Sequence, residues 1–320
     1  MKVEVIGVIG QGFVGTAVRE KFRELFPVMA YDKYNEDLSK TYDSKKSLDH
    51  VNTLSDLVDN CDYLFSCVPT PMYEDGECDT RIVESVIMDL HHECIKKEKT
   101  VTVVCKSTMT PGTTERLNEI SKFVEVLFSP EFLTEANAVE DFKNQNRIIL
   151  GLPKSRTHNP NTRSLIISTF QKAFPNANVL TIDATEAEMV KYMTNLFLAT
   201  KVSFFNDMYS YCQKIGANYN VISEVTLLDK RIGNSHYQVP GPDGDRGFGG
   251  HCFPKDLSAI LFIADKLNIN MPTLQGVNST NELVRKNKDW KEMEGRAVSK
   301  RDTNQLEIPL EFNEYGQEHC

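Results

Sequence analysis

What this sequence is short of narrows its function first. Lysine and arginine number 36 against 45 aspartates and glutamates, a net charge of -9. Such a balance lacks the basic footprint of a nucleic-acid binder, so an anionic ligand would need a local basic pocket. No run of roughly 18 apolar residues occurs, and no membrane-spanning helix is expected. The first apolar run starts at Val3, and no leader is expected. Cys-x-x-Cys pairs are absent and the 7 histidines keep no ligand spacing, so neither a metal site nor a redox dithiol is expected. The 8 cysteines are scattered from Cys61 to Cys320, which suits free thiols and a cytoplasmic location.

What is present reads as two domains and a tail. Apolar runs at Val3–Val8, Val28–Tyr31, Tyr63–Val68, Val101–Cys105, Val124–Phe128, Ile148–Leu150 and Val179–Ile182 look like buried strands. Stretches of helical length separate several of them. This alternation predicts an α/β fold over 1–184, a Rossmann-type doubly wound parallel sheet with helices on both faces. An all-helical domain is expected over 185–290. Its first helix runs from Thr185 to Ile215, with apolar residues at three- and four-residue steps on more than one side. That helix is a candidate homodimer core. Further helices are expected at Tyr219–Asp229, Lys255–Leu267 and Pro272–Lys288, with a Gly/Pro-rich loop over Ile232–Gly250. Residues 291–320 read as a polar tail, with one short strand at Leu306–Leu310.

Two motifs carry the chemistry. Gly10-Gln11-Gly12-Phe13-Val14-Gly15 follows the first strand and opens a helix to Phe26, as a dinucleotide-binding loop must. Asp32, next to Lys33, ends the second strand, where a carboxylate would bind a ribose 2′-hydroxyl. It would repel a 2′-phosphate, so NAD is favoured over NADP. The second motif is Gly247-Phe248-Gly249-Gly250-His251-Cys252-Phe253-Pro254-Lys255-Asp256. A free cysteine is most often a small buried hydrophobe. Here the preceding glycines permit close backbone approach to a ligand, and Lys255 would favour the nucleophilic thiolate. A nucleophilic thiol beside a nicotinamide site suggests oxidation through a thioester.

Other positions read two ways. Val68-Pro69-Thr70 and Lys106-Ser107-Thr108 each follow a strand and either wall the cofactor or are ordinary turns. Glu131 and Glu135 are either a base and a cofactor contact or helix-start acids. Lys191 and Asn195 lie one turn apart on a mostly apolar helix; they need buried partners, or the lysine snorkels to solvent. Arg231 offers a phosphate contact.

Taken in order, these residues resemble the UDP-glucose/GDP-mannose dehydrogenase family. The Gly247–Asp256 motif is the most specific part; Glu188–Ala199 and Ser129–Glu135 support it, and Asp229–Asn234 resembles the UDP-glucose branch. The resemblance implies oxidation of a nucleotide sugar's C6 alcohol to the carboxylate with two NAD molecules, UDP-glucose to UDP-glucuronate, for polysaccharide supply. It implies a thiohemiacetal and then a thioester on Cys252. Lys191 would stabilise oxyanions, Asn195 would hold the sugar, Asp256 and Thr108 would place a water or proton acceptor, and Glu131 would act as base. Glu135 would join Gly10, Gly12, Phe13, Val14, Gly15, Asp32, Lys33, Val68, Pro69, Thr70, Ser107 and Thr108 around the cofactor. Phe132, Leu133, Phe248, Gly249 and Gly250 would line the substrate, and Arg231 would reach its phosphates across a dimer. Full-length members have a third domain that helps bind the nucleotide, and nothing in 291–320 has the length to replace it. Then either dimerisation closes the site, or the chain needs a partner, or activity is weak, with the loop Val239–Arg246 partly substituting for the missing contacts. The alternatives are a GDP-mannose 6-dehydrogenase, a two-electron hydroxyacid dehydrogenase with no need of Cys252, and a protein that only binds its cofactor.

Overall fold

The computed structural model describes residues 4–34, 53–154 and 160–301. Its elements are β1 (Ile6–Ile9), α1 (Phe13–Phe22), β2 (Val28–Tyr31), α2 (Leu54–Asn60), β3 (Tyr63–Ser66), α3 (Arg81–Lys97), β4 (Val101–Cys105), α4 (Thr113–Ile120), β5 (Val124–Phe128), α5 (Ala138–Lys143), β6 (Arg147–Leu152), α6 (Pro160–Ala173), β7 (Asn178–Asp183), α7 (Ala184–Ile215), α8 (Tyr219–Thr226), α9 (Phe253–Lys266) and α10 (Pro272–Val284). The seven strands form one sheet in the order β2-β1-β3-β4-β5-β6-β7. Every pairing is parallel except β5 with β6, which meet antiparallel at Phe128 and Gly151. The α/β class, with a helical region from residue 184 on, is as expected.

Parallel strands need crossovers, and the crossover helices cover both faces. On one face Leu57, Ile87, Leu90 and Leu117 pack on Leu64, Val103 and Val126. On the other Phe22, Phe142 and Phe170 pack on Ile6, Phe65 and Leu127. One strand departs from expectation. Val179–Ile182 reads as buried, yet β7 is the edge of the sheet and Leu180 is 48 % exposed. Helix α1 also stops at Phe22, short of Phe26.

The sheet changes its direction of growth at β1: β2 pairs on one side and β3 on the other. Such a switch leaves a crevice beyond the carboxyl ends of the two strands, where ligands bind. The loops after β1 and β3 border it, and Cys67 N donates to Ile9 O at 2.8 Å to fix their spacing.

Asp183 and Glu186 form a capping box that starts α7 straight off β7, and Gly216, at φ +74°, ends it 32 residues later. A Cβ on Gly151 would lie 2.7 Å from Ala187 Cβ, so the start of α7 rests directly on β6. Glu188 ties the two regions together. Its buried carboxylate accepts from Gly112 N at 2.6 Å and from Thr114 N at 2.7 Å. These N–H groups begin α4, whose own cap residue is a glycine with no side chain to offer. Burial pushes the Glu188 pKa up to about 7, against the pull of the bonds from Thr114 and Gly112. Glu188→Ala leaves the Gly112 and Thr114 N–H groups and the Thr114 hydroxyl without their acceptor and should cost about 1–3 kcal/mol. Because the folded pKa lies above the unfolded value, the stabilisation is full below about pH 4.5 and declines as pH rises through about 7. Urea titrations of both proteins at pH 5 and pH 8 test this; a gap that widens with pH would refute it.

Helices α9 and α10 pack on α7 through Tyr192, Leu196, Ala199, Leu257, Ile260 and Val277. The expected polar tail makes one buried contact within 291–301: Ala297 packs with Met72 and Trp290. The Leu306–Leu310 strand lies outside the described residues. No described helix is long and apolar enough to cross a membrane.

Candidate active site

The crevice fits a dinucleotide. Gly10 sits at φ +84°. A Cβ on Gly15 would fall 1.8 Å from Gly10 O, while one on Gly12 would meet nothing within 4 Å. Gly15 is thus needed for the turn, and Gly12 presents bare backbone at the α1 N-terminus, where an anionic pyrophosphate is favoured. Phe13 and Val14 open that helix. Asp32 Oδ2 accepts from Gln11 N at 2.6 Å, which places the carboxylate beside the loop. Lys33 is exposed, with its ammonium over the Tyr34 ring.

The next loops are stitched to one another. Ser107 Oγ donates to Val68 O, and Thr70 Oγ1 donates to Thr108 O, both at 2.6 Å. Pro69 lies between these ties. Lys106 Nζ donates to Ser129 Oγ at 3.2 Å and Pro130 O at 3.1 Å, joining the loops after β4 and β5. Burial pulls the Lys106 pKa down to about 8, and Lys191 adds to the effect. The sequence placed Lys106 only within the Lys106–Thr108 loop and gave it no role of its own; its signal was a lysine directly after the apolar run Val101–Cys105.

Lys191 extends the stitching into the helical region. Its Nζ donates to Glu131 O at 2.5 Å and to Glu131 Oε1 at 3.0 Å, with both side chains buried. Leu133 N donates to the other carboxylate oxygen at 2.8 Å. The Phe132 ring lies 5.5 Å from the Lys191 ammonium. One turn on, Asn195 Nδ2 donates to Asp256 Oδ2 at 2.6 Å, and Lys255 Nζ donates to Asp256 Oδ1 at 2.5 Å. Burial works against the Lys191 cation, yet Glu131, Cys252 and Asp256 outweigh it and hold its pKa above an ordinary lysine's. Neither Lys191 nor Asn195 snorkels away.

Cys252 caps α9, half-buried. Its thiol is not the ready thiolate expected. Burial pushes its pKa up to about 11, with Lys191 pulling down and Glu131 and Asp256 pushing up. Lys255 contributes little because Asp256 holds it.

The glycines before Cys252 are gripped by Asn281 of α10 and by Arg285 and Asp289 just after it. Gly247 sits at φ +68°, and its missing Cβ would lie 2.3 Å from Asn281 Oδ1. Phe248 N donates to that oxygen at 2.8 Å, and Asn281 Nδ2 donates back to Phe248 O at 3.1 Å. A Cβ on Gly249 would meet Arg285 Nη2 at 2.2 Å, and Gly250 N donates to Asp289 Oδ2 at 3.1 Å. Asn281, Arg285 and Asp289 were missed in the sequence, although they recur every fourth residue. Arg231 is not brought into the cluster: its side chain is 89 % exposed and pairs with Asp229. Glu135 pairs with Arg296 and lies 3.5 Å from His251 Nδ1. No group of three or more His, Cys, Asp or Glu among the described residues gathers to hold a metal.

Two family models match. The NAD-binding domain of the UDP-glucose/GDP-mannose dehydrogenase family covers residues 26–171, and its central domain covers 185–283. The chain belongs to this family. It carries an NAD-binding domain. It is 29 % identical over 304 residues to the UDP-glucose 6-dehydrogenase AglM of Haloferax volcanii, spanning 87 % of this chain and 69 % of the relative. It is 33 % identical over 260 residues to a UDP-glucose 6-dehydrogenase of Rickettsia prowazekii, spanning 78 % of this chain and 56 % of the relative. A solved UDP-glucose dehydrogenase from Pyrobaculum islandicum superposes with a TM-score of 0.76 at 29 % identity, over 88 % of this chain and 68 % of that one.

Proposed function

We propose that this protein is an NAD-dependent, four-electron UDP-glucose 6-dehydrogenase working through a thioester on Cys252. One observation carries the reading: Cys252 caps α9 behind a pinned glycine loop, and the buried pairs Lys191–Glu131 and Asn195–Asp256 both lie near enough for their charges to act on its sulfur. The names of the relatives favour UDP-glucose over GDP-mannose. When bound, NAD supplies the hydride acceptor, one molecule for each of the two oxidations.

The chain's residues then divide the work. The Cys252 S–H adds across the aldehyde C=O, sulfur to carbon and proton to oxygen, giving the thiohemiacetal. Loss of hydride from that carbon and of the hydroxyl proton leaves the thioester. Water adds at the thioester carbon, the C–S bond breaks, and Cys252 recovers its proton. Lys191 donates to the oxygen that carries charge at each stage. Glu131, one bond from Lys191, takes the proton of the attacking water. Asn195 and Asp256 fix the sugar hydroxyl against the sulfur.

We also propose that two copies pair through α7 and α8. Met193, Phe197, Phe204 and Tyr211 on α7, with Val225 and Leu228 at the end of α8, are exposed. Exposed apolar surface on this scale marks an interface. Arg231, 89 % exposed and three residues past Leu228, would then extend toward the substrate phosphates in the neighbouring copy.

The test is NADH formed per UDP-glucose consumed with limiting sugar nucleotide. A ratio near two supports the four-electron reaction. A ratio near one supports a two-electron dehydrogenase, and no NADH with a panel of nucleotide sugars supports a protein that only binds its cofactor.

A further inference from the structure

The loop that leads into the glycines has all its charged side chains engaged by other parts of the chain. Between Val239 and Arg246 these are Asp243, Asp245 and Arg246. Gly241 N donates to Asp245 O at 2.8 Å and closes the loop on itself. Asp245 Oδ2 accepts from Asn287 N at 2.7 Å and from Lys286 N at 3.1 Å, in the segment just after α10. Asp243 pairs at 2.6 Å with Arg285, the buried arginine against which Gly249 lies.

Arg246 reaches the opposite way, onto α7. Its Nη2 donates to Ser210 Oγ at 2.6 Å and to Asn206 O at 3.0 Å, and its Nε donates to Asn206 Oδ1 at 3.2 Å. The guanidinium also lies 5.1 Å from the centre of the Tyr209 ring. Gly247 N donates to the same Asn206 Oδ1 at 3.2 Å. Asn206 is buried and stands about three turns along α7 from Asn195. Two consecutive side chains thus brace the chain between α7 and the segment after α10, immediately before it enters the run to Cys252. This arrangement does not suit a loop that binds the nucleotide in place of a third domain. The loop's single cation is occupied by α7, and its two carboxylates would repel phosphates.

We propose that Asp245 and Arg246 are positioning residues for the nucleophile, bracing the glycine loop so that Cys252 stands in register with Lys191 and Asn195 on α7. In this role neither side chain touches substrate; both act through the backbone between Gly247 and Cys252. Misplacing a reacting group by about 1 Å costs on the order of a hundredfold in rate, so a brace at this point bears on turnover. The proposal rests on the reading of Cys252 as the nucleophile.

Steady-state kinetics of the full chain with UDP-glucose and NAD separate positioning from substrate binding. Arg246→Ala and Asp245→Ala should each lower kcat about ten- to a hundredfold, with KM for UDP-glucose and Kd for NAD within about twofold of wild type. A KM that rises while kcat holds would mean that the loop grips the substrate, and would overturn the proposal. So would an unchanged kcat in both variants. Ser210→Ala removes one bond to the guanidinium and should give the same split at about threefold, which keeps the test open where a stronger variant fails to fold. Amide hydrogen exchange reads the brace without turnover. In Arg246→Ala, exchange across Gly247–Cys252 should quicken about tenfold or more, while β1 to β5 keep wild-type protection. Unchanged protection of the glycine loop would overturn the proposal whatever the substrate. Wild-type protein that forms no NADH, with a glycine loop that loses protection in Arg246→Ala, would refute the proposed reaction and uphold the brace.

Discussion

Cys252→Ala should abolish multiple turnover of UDP-glucose while leaving NAD affinity within about twofold. The expected fall is at least about a thousandfold, since removal of a nucleophile leaves only binding and polar stabilisation. Cys252 is half-buried at the cap of α9, and the capping of that helix does not use its side chain. Alanine therefore removes chemistry and little structure. The first oxidation needs no sulfur, so a single-turnover experiment should still show up to one NADH per site. Without sulfur to hold the aldehyde, the second should fail. Steady turnover to the carboxylate in Cys252→Ala would remove the thioester from the mechanism.

Lys191→Met should damage both stability and sulfur reactivity. Methionine keeps the apolar stem but strips the ammonium from Glu131, to whose carboxylate it donates at 3.0 Å in a buried site. Breaking a buried pair by removing one partner costs about 3–5 kcal/mol, because the other charge is left uncompensated. The thiol responds as well. Lys191 is the principal cation drawing the Cys252 pKa down from the level that burial imposes, and its net value is still about 11. Without Lys191 that pKa rises and the thiolate fraction falls. Iodoacetamide labelling of Cys252, read by peptide mass spectrometry between pH 8 and pH 10, should slow severalfold at each pH. Equal labelling rates in the two proteins would show that Lys191 does not act on the sulfur.

The parts of this protein legible in its sequence are those written locally. Gly10 to Gly15 after an apolar run, with Asp32 at the end of the next, depend on spacing alone. The start of α7 and its Gly216 stop are likewise short-range signals. What could not be read depends on partners distant along the chain. Glu188 was marked only by the resemblance of Glu188–Ala199, and its structural task appears once the Gly112 and Thr114 N–H groups arrive from 76 and 74 residues away. Arg285 and Asn281 gain meaning only once Gly247 and Gly249 lie against them. The thiolate expected at Cys252 failed for a similar reason. Lys255 is adjacent in sequence, but Asp256 claims its charge, and burial depends on everything packed around the sulfur. Strand β7 was misjudged because its composition suits an interior that the sheet order does not provide.

Helix α7 carries Lys191 and Asn195 on its buried side and Met193 and Phe197 on its exposed side. These residues alternate within the same two turns of an unbroken 32-residue rod. Whatever grips the outer side therefore holds the same axle on which the reactive groups are mounted. Turning it by the angle of one residue, about 100°, would carry Lys191 off Glu131 and Asn195 off Asp256 together. The proposed pairing of two copies and the proposed chemistry would thus be geared to one shaft, and neither could slip without the other.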